Sequence, residues 1–513
     1  MIKKEVTMVK KLFTCIFLFS LIAVSSCAFS AAQPIGDIPG ALVLTDVAAK
    51  PSQPLPPNNL NDQFLGDLSA LQGAPLYTLD ITLQEEEGIF RINGSQQVRY
   101  TNQETEPLDA VYFKLVPNFG GDYLAVSNMT VDSAPVEPQL EFENTVMRID
   151  LPAPLPAGRA VVIDFLLDAV VPSEMGGNYG LFVFQDNVLA LDAFFPIIPV
   201  YNDEGWNVES PPQNADVIFS DAAFFAVTVD AAEDLVIAAG GQEMERSVES
   251  GRQIVTYHAG PQRDFYLAAS PDFVKESVDV DGVTLTSYFP EKYRESGLFV
   301  LEIAQIALQS YSERFGPYPF TELDLVSTPM QAGGMEYSSI TALGLYLYDP
   351  AYKLSGGLPG SVFLEAAAAH EVAHMWFYCQ VMNDQIDHPW QDESLVQYAT
   401  YLYYLDRYGE KSAQEFQGSF YDRWDRVGRE PISIGLPAAQ YEGAEYSAII
   451  YGRGVLMFEA MQEVMGEDAF NQFLKDYVEK FRWQVVEPED LLETAENACD
   501  CDLSAVYQEW GVR

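Results

Sequence analysis

The segment AAAAHEVAHMWFYCQ, Ala366 to Gln380, places His370, Glu371 and His374 in the order HExxH, in a chain with only four histidines among 513 residues. Four alanines favour a helix here, and Gly360-Ser361 offers a start with Ser361 as its cap. On a helix, positions four apart lie about 40° from each other on one face, so two imidazoles can grip one ion. Glu371 is turned one position away, toward where a water on that ion would sit. With so few histidines the motif is expected by chance about 0.002 times. The arrangement reads as a zinc site with a general base, one ion per chain.

Zinc in a catalytic site takes a third protein ligand and leaves a position open. Cys379 lies five residues beyond His374, which turns it about 140° off the face. His388 precedes Pro389 in a loop and reads as a rim residue. Glu393, in HPWQDESLVQYATYLYYL, opens the next helix, whose apolar Leu395, Val396, Ala399 and Leu402 face inward. A helical hairpin would bring Glu393 back to His370 and His374, so Glu393 is the third ligand expected.

HExxH followed after eighteen residues by glutamate, with Gly333-Gly334-Met335-Glu336 upstream, resembles the M1 family of zinc aminopeptidases, whose pattern is HExxH-x18-E with a GxMEN-type motif. The text HEVAHMWFY, VMND and PWQDESLVQY is most similar to short exported bacterial members, and the resemblance extends from about residue 75 to the end. It implies an α+β chain, an antiparallel β domain followed by a thermolysin-like, mostly helical peptidase domain. It also implies that Glu336 binds the free α-ammonium of a peptide, with Gly333, Gly334 and Met335 beside the substrate backbone. The segment AEYSAIIYGRG is similar to the family's Y-x4-Y-x-K-G, which makes Tyr451 the phenol for the tetrahedral oxyanion and Tyr446 a supporting pocket residue. The activity implied is removal of the N-terminal residue from peptides, Glu371 moving the proton. A zinc endopeptidase, or an inactive peptide-binding surface lipoprotein, are the competing readings. Tyr337, Tyr378, Cys379, Asp392 and Ser394 depart from the usual pattern. The chain stops soon after Trp510, so a more open enzyme is expected than in relatives with a further helical domain.

These residues need elements to hold them. In LYTLDITL, Tyr77, Leu79, Ile81 and Leu83 alternate with polar residues, a half-buried strand. Asn93-Gly94 in GIFRINGSQQVRY predicts a hairpin turn. AVYFKLV, AVVIDFLL, FFAVTVDA and RQIVTYHA continue the pattern, so residues 74–272 read as a β domain and 273–513 as the catalytic domain. GLFVLEIAQIALQSYSERFG predicts a helix ended by Gly316, TELDLVST a strand, and QAGGMEYSSITALG a glycine-entered strand and turn. Residues 28–73, rich in proline, read as a spacer.

The composition narrows the function further. A formal charge of -47 excludes nucleic acid as a partner, because like charges repel. The start, four lysines before an apolar run of about thirteen residues, has the layout of an export signal at 1–27. Val24-Ser25-Ser26-Cys27 resembles a lipobox, with Ser30-Ala31-Ala32 as a competing cleavage site. The protein is therefore expected on the periplasmic or extracellular side, with a membrane contact only through a lipid at Cys27. Three further thiols, Cys379, Cys499 and Cys501, are not a disulfide framework. Cys499 and Cys501 read as too close to pair with each other, which leaves Cys379 as the conceivable partner of one.

Overall fold

Alternation of buried and exposed side chains makes Leu76–Glu86 the first long strand, with Tyr77, Leu79, Ile81 and Leu83 all buried. In the computed structural model, residues 56–513 are described except 177, 211, 213, 214, 218, 355 and 356. The expected signal and lipobox lie outside them. Among the described residues no helix is long and apolar enough to cross a membrane.

Leu76–Glu86 sits inside an eight-stranded sheet, between Ile89–Thr101, its antiparallel neighbour, and Ala223–Ala232, which runs parallel to it. Ala160–Val171 and Leu124–Val131 extend one side, Arg252–Gln262 and Gln242–Glu249 the other. A four-stranded, a three-stranded and a two-stranded sheet complete the β region, and one apolar core joins the long strands to Phe113, Ile149, Phe195 and Phe265.

The predicted turn at Asn93-Gly94 is not there. Ile89–Thr101 runs through it unbroken, and the chain reverses instead at Glu87-Gly88. Gly94 serves another purpose: a Cβ on it would lie 2.1 Å from the Asp80 carbonyl oxygen, so glycine permits the close approach of two backbones. The strand pair outweighs the local turn preference because thirteen residues of ladder are at stake.

From Phe273 the sheet membership changes. Phe273–Val280, Val283–Pro290, Glu322–Thr328, Ile340–Gly344 and Gly334–Tyr337 form a five-stranded mixed sheet in that order. The helix Arg294–Phe315 connects the second strand to the third and ends at Gly316 with φ 111, as the sequence predicts. Gly334–Tyr337 is the edge strand, antiparallel to Ile340–Gly344. Helices follow to Trp510, packed around one core that includes Trp376, Trp390, Tyr398 and Phe458. A multi-sheet β part followed by a mostly helical part is the fold class expected.

Two further expectations are corrected. The spacer does not reach Gly73: Asp62–Ser69 is a 3-10 helix whose Phe64 and Leu68 are buried in the helical core, with Asn61 donating to the Phe320 carbonyl at 2.7 Å. Two large apolar side chains outweigh the prolines before them. Cys499 and Cys501 are bonded to each other, while Cys379 is free and buried. Asp500 between them takes a left-handed conformation at the end of the helix Pro488–Cys499, folding the chain back and bringing the Cα atoms to 5.1 Å.

Candidate metal centre

The HExxH helix spans Gly360–Ala373, its N-terminus preceded by Pro359 and without the side-chain cap expected from Ser361. It is wedged between the sheet edge and the helix Arg294–Phe315, whose Tyr311 hydroxyl donates to the Ala369 carbonyl at 3.0 Å. His374 sits at the helix end, still helical at φ -60 and ψ -16, so the two imidazoles keep their common face. Beyond it Trp376 is buried and donates to the Gly316 carbonyl, and Cys379 N–H returns to the His374 carbonyl.

Glu393 and Tyr451 each stand on a π-helical turn, Trp390–Ser394 and Ile449–Arg453. Such a turn shifts the side chains after it by one position and so re-aims them. The two turns are joined by Ser394, whose hydroxyl donates to the Ile450 carbonyl at 2.6 Å. Gly454 lies so close that a Cβ would fall 2.3 Å from the Ser394 oxygen. Nothing in the sequence announced either turn, since a π-turn has no composition of its own.

Three donor atoms converge. His370 Nε2 lies 3.0 Å from Glu393 Oε2 and 3.3 Å from His374 Nε2, and His374 Nε2 lies 3.6 Å from the same carboxylate oxygen. Ligands at about 2.0–2.1 Å around a tetrahedral zinc stand about 3.4 Å from one another, so the spacing fits that ion. The Nδ1 of His374 faces the Phe377 carbonyl at 3.0 Å; a proton there leaves the Nε2 lone pair free for a metal. Tyr451 donates from its hydroxyl to the second Glu393 oxygen at 2.5 Å.

The surroundings are rich in negative charge. Glu336, Glu371, Glu393, Asp392 and Asp216 are all buried, and among the described residues none of them pairs with lysine or arginine. Burial, with Glu336 and Glu393 adding, raises Glu371 well above the usual carboxylate range despite the nearby His374. Burial and then Glu393 push Asp392 up to about 7. Burial would lower His374, but Glu336 and Glu393 outweigh it and carry the imidazole upward. Burial would raise Glu393, yet hydrogen bonds to His370 and His374 hold it far down. A divalent cation would relieve this crowding, and the donor set suits zinc better than magnesium or calcium.

Glu336 lies on the edge strand, 4% exposed, with Gln385 Nε2 donating to one oxygen at 2.8 Å. Its carboxylate, that of Glu371 and a His374 nitrogen lie within 4.8 Å of one another. Gly333 and Gly334 have a use beyond the close substrate approach expected of them. A Cβ on Gly334 would stand 2.3 Å from a Glu371 oxygen, and one on Gly333 2.7 Å from the Phe363 ring, so the strand can lie against the helix.

A cavity of about 500 Å³ opens on this cluster. His370, Glu371, Glu393, Gly333, Gly334, Met335, Glu336, Tyr446 and Tyr451 line it, so the sequence-predicted residues come together, with His374 beneath them. The Tyr446 hydroxyl has no partner among the described residues. Cys379 is no ligand: burial pushes its thiol up to about 12. Asp216, Tyr179 and Arg423 also line the cavity and were not foreseen. They arrive from loops and a helix distant in sequence, with no motif to mark them.

The departures Tyr337 and Tyr378 sit together behind Glu336. Tyr337 stacks on Tyr266 at 4.0 Å, and Tyr378 donates to Asp264 at 2.6 Å beneath the Arg263 guanidinium. Tyr378 has φ 144, a conformation that favours glycine, and its ring and hydroxyl contacts hold it there.

Residues 299–510 match the model of the peptidase family M1 domain. Aminopeptidase M1 of Arabidopsis thaliana is 25% identical over 303 residues, 56% of this chain and 34% of that protein. Aminopeptidase N of Lactobacillus helveticus is 27% identical over 246 residues, 45% of this chain and 28% of that protein. The chain thus matches about a third of the length of these relatives. Among solved structures, the M1 zinc metallopeptidase from Deinococcus radiodurans superposes with a TM-score of 0.61 at 19% identity, covering 90% of this chain and 94% of that one. A mutant of that protein bound to a Tyr-Ser-Ala substrate gives 0.61 at 18% identity, covering 86% and 94%.

Proposed function

We propose, from the match of residues 299–510 to the peptidase family M1 domain, that this chain belongs to that family and is a zinc-dependent aminopeptidase that removes the N-terminal residue from peptides. The observation that carries this is the closeness of Glu336 to the metal-binding residues. Its carboxylate lies within 4.8 Å of His374 and Glu371. One residue of extended chain needs about 3.3–3.6 Å, so an ammonium held by Glu336 leaves only the first peptide bond within reach. An endopeptidase would need room for further residues at that point.

His370, His374 and Glu393 would hold the zinc, which when bound would supply Lewis-acid polarisation of the scissile carbonyl and a lowered pKa for a water. Glu371 accepts the proton of the attacking water and returns it to the leaving amine. Its second oxygen, unpartnered among the described residues, is free for that water. Gln385 fixes the Glu336 carboxylate, so the substrate ammonium meets a preset ion pair. Tyr451 turns its hydroxyl from Glu393 to the oxyanion as negative charge develops. Export, with or without a lipid at Cys27, is proposed alongside, supported by the basic and apolar N-terminal residues.

A panel of peptides with free and acetylated N-termini tests the reading. Turnover of the free forms alone, lost with zinc removal and restored by zinc, is expected. Equal cleavage of the blocked peptides would point to an endopeptidase, and bound zinc without turnover to a peptide-binding protein.

A further inference from the structure

Arg423 is the one lysine or arginine lining the cavity among the described residues, in a chain with 75 acidic residues against 28 basic ones. It lies on the helix Glu410–Asp425, and its guanidinium forms no ion pair with any described carboxylate. Its contacts are neutral: Nη1 donates to the Ser447 hydroxyl at 3.0 Å, and Cζ stands 5.6 Å from the Tyr451 ring centre. Burial and the neighbouring Arg426 disfavour its charge, and Tyr451 and Glu393 favour it. A half-buried guanidinium without a counter-ion, next to a cavity, has donors to spare for a ligand oxygen.

The rest of the cavity tells where such a ligand group sits. Asp216, Glu336, Glu371 and Glu393 line it, so away from the metal position Arg423 is the one cation among the described lining residues that an anionic group would meet. The His370 and Tyr451 rings are 5.9 Å apart, so the guanidinium lies at most about 12 Å from the metal-binding imidazole. That is the span of about three extended residues.

We propose that Arg423 recognises a carboxylate of the substrate within about three residues of the scissile bond. The carboxylate is either the C-terminus of a di- or tripeptide or an acidic side chain. The idea rests on the aminopeptidase reading and adds to it a preference for short or acidic peptides. Arg423 is then a specificity residue, and its ion pair forms as peptide enters.

The test compares Ala-Ala-Ala with its C-terminal amide, and Ala-Asp-Ala amide with Ala-Asn-Ala amide, in wild type, Arg423→Met and Arg423→Lys. In wild type the kcat/KM ratio of a carboxylate form to its neutral twin should be about tenfold or more. It should fall to near one in Arg423→Met and lie between in Arg423→Lys. The pair that shows the effect identifies the source of the carboxylate. A wild-type ratio near one in both pairs overturns the proposal, as does an equal loss on both members of each pair in Arg423→Met, which would mark Arg423 as a support for Tyr451. Calorimetric titration of the same peptides into the zinc-loaded Glu371→Gln protein reads the ratio without turnover. If wild type cleaves nothing, the aminopeptidase reading fails while this titration still decides the role of Arg423; equal affinities, or no binding, overturn that role.

Discussion

At the scale of the residue, the centre divides labour among groups that differ in what faces them. His374 is fixed through Nδ1 by the Phe377 carbonyl, while His370 turns its Nε2 to the same Glu393 oxygen that His374 Nε2 faces, so both nitrogens converge on one point. Glu371 makes no such contact with its second oxygen and stays available. Glu371→Gln should therefore keep its zinc, measured by metal analysis, while kcat drops about 10²–10⁴-fold. Tyr451→Phe removes one oxyanion donor and should lower kcat about 10²–10³-fold with little change in KM. A loss of zinc in either variant would assign that residue to holding the metal instead.

At the scale of the element, the site depends on how closely the edge strand Gly334–Tyr337 lies against the HExxH helix. Gly334→Ala would drive its methyl into the Glu371 carboxylate, so activity should fall at least tenfold by displacement of the base, with zinc retained. Unchanged kinetics would show that the strand can yield. Behind the strand, Asp264 ties Ser338 and Tyr378 together, and burial pushes its carboxyl up to about 6, against the pull of those hydrogen bonds. An ordinary aspartate in the unfolded chain titrates near 3.9. Between these values the folded state binds the extra proton, so this group makes stability fall as pH rises from about 4 through 6. Asp264→Asn should flatten the slope of unfolding free energy by up to about 1.4 kcal/mol per pH unit, read by urea titrations across that window. An unaltered slope would assign the pH dependence to other carboxylates raised by burial, among them Glu322, Asp221, Asp324 and Asp392.

At the scale of the whole molecule, five buried carboxylates around two imidazoles make the metal a part of the fold as well as of the chemistry. Zinc at about 1,000 times its Kd should add about 4 kcal/mol of stability, raising Tm above that of chelator-treated protein. Magnesium should not substitute, because two of the three donors are imidazole nitrogens. A Tm indifferent to zinc would contradict the site. The segment from Asn59 to Leu68 also belongs to this scale. It hydrogen-bonds to Gly260 and Pro319 and places Phe64 beneath Arg482, so it ties residues far apart in sequence.

The sequence by itself determined what is local. HExxH needs only helical periodicity, Glu393 only the start of the next helix, and the strand of Tyr77 to Leu83 only alternation, so each was legible in a few consecutive residues. Tertiary structure decided what depends on partners distant along the chain. Gly94 became a point of close approach rather than a turn because Asp80 lies against it, and Gly334 made room for Glu371. Cys501 met Cys499 because Asp500 reverses the chain, and Leu60 to Leu68 joined the body because a core was there to receive them. Arg423 entered the cavity only when its helix packed beside Tyr451, since its charge is written in the sequence but its access to a cavity depends on neighbours distant along the chain.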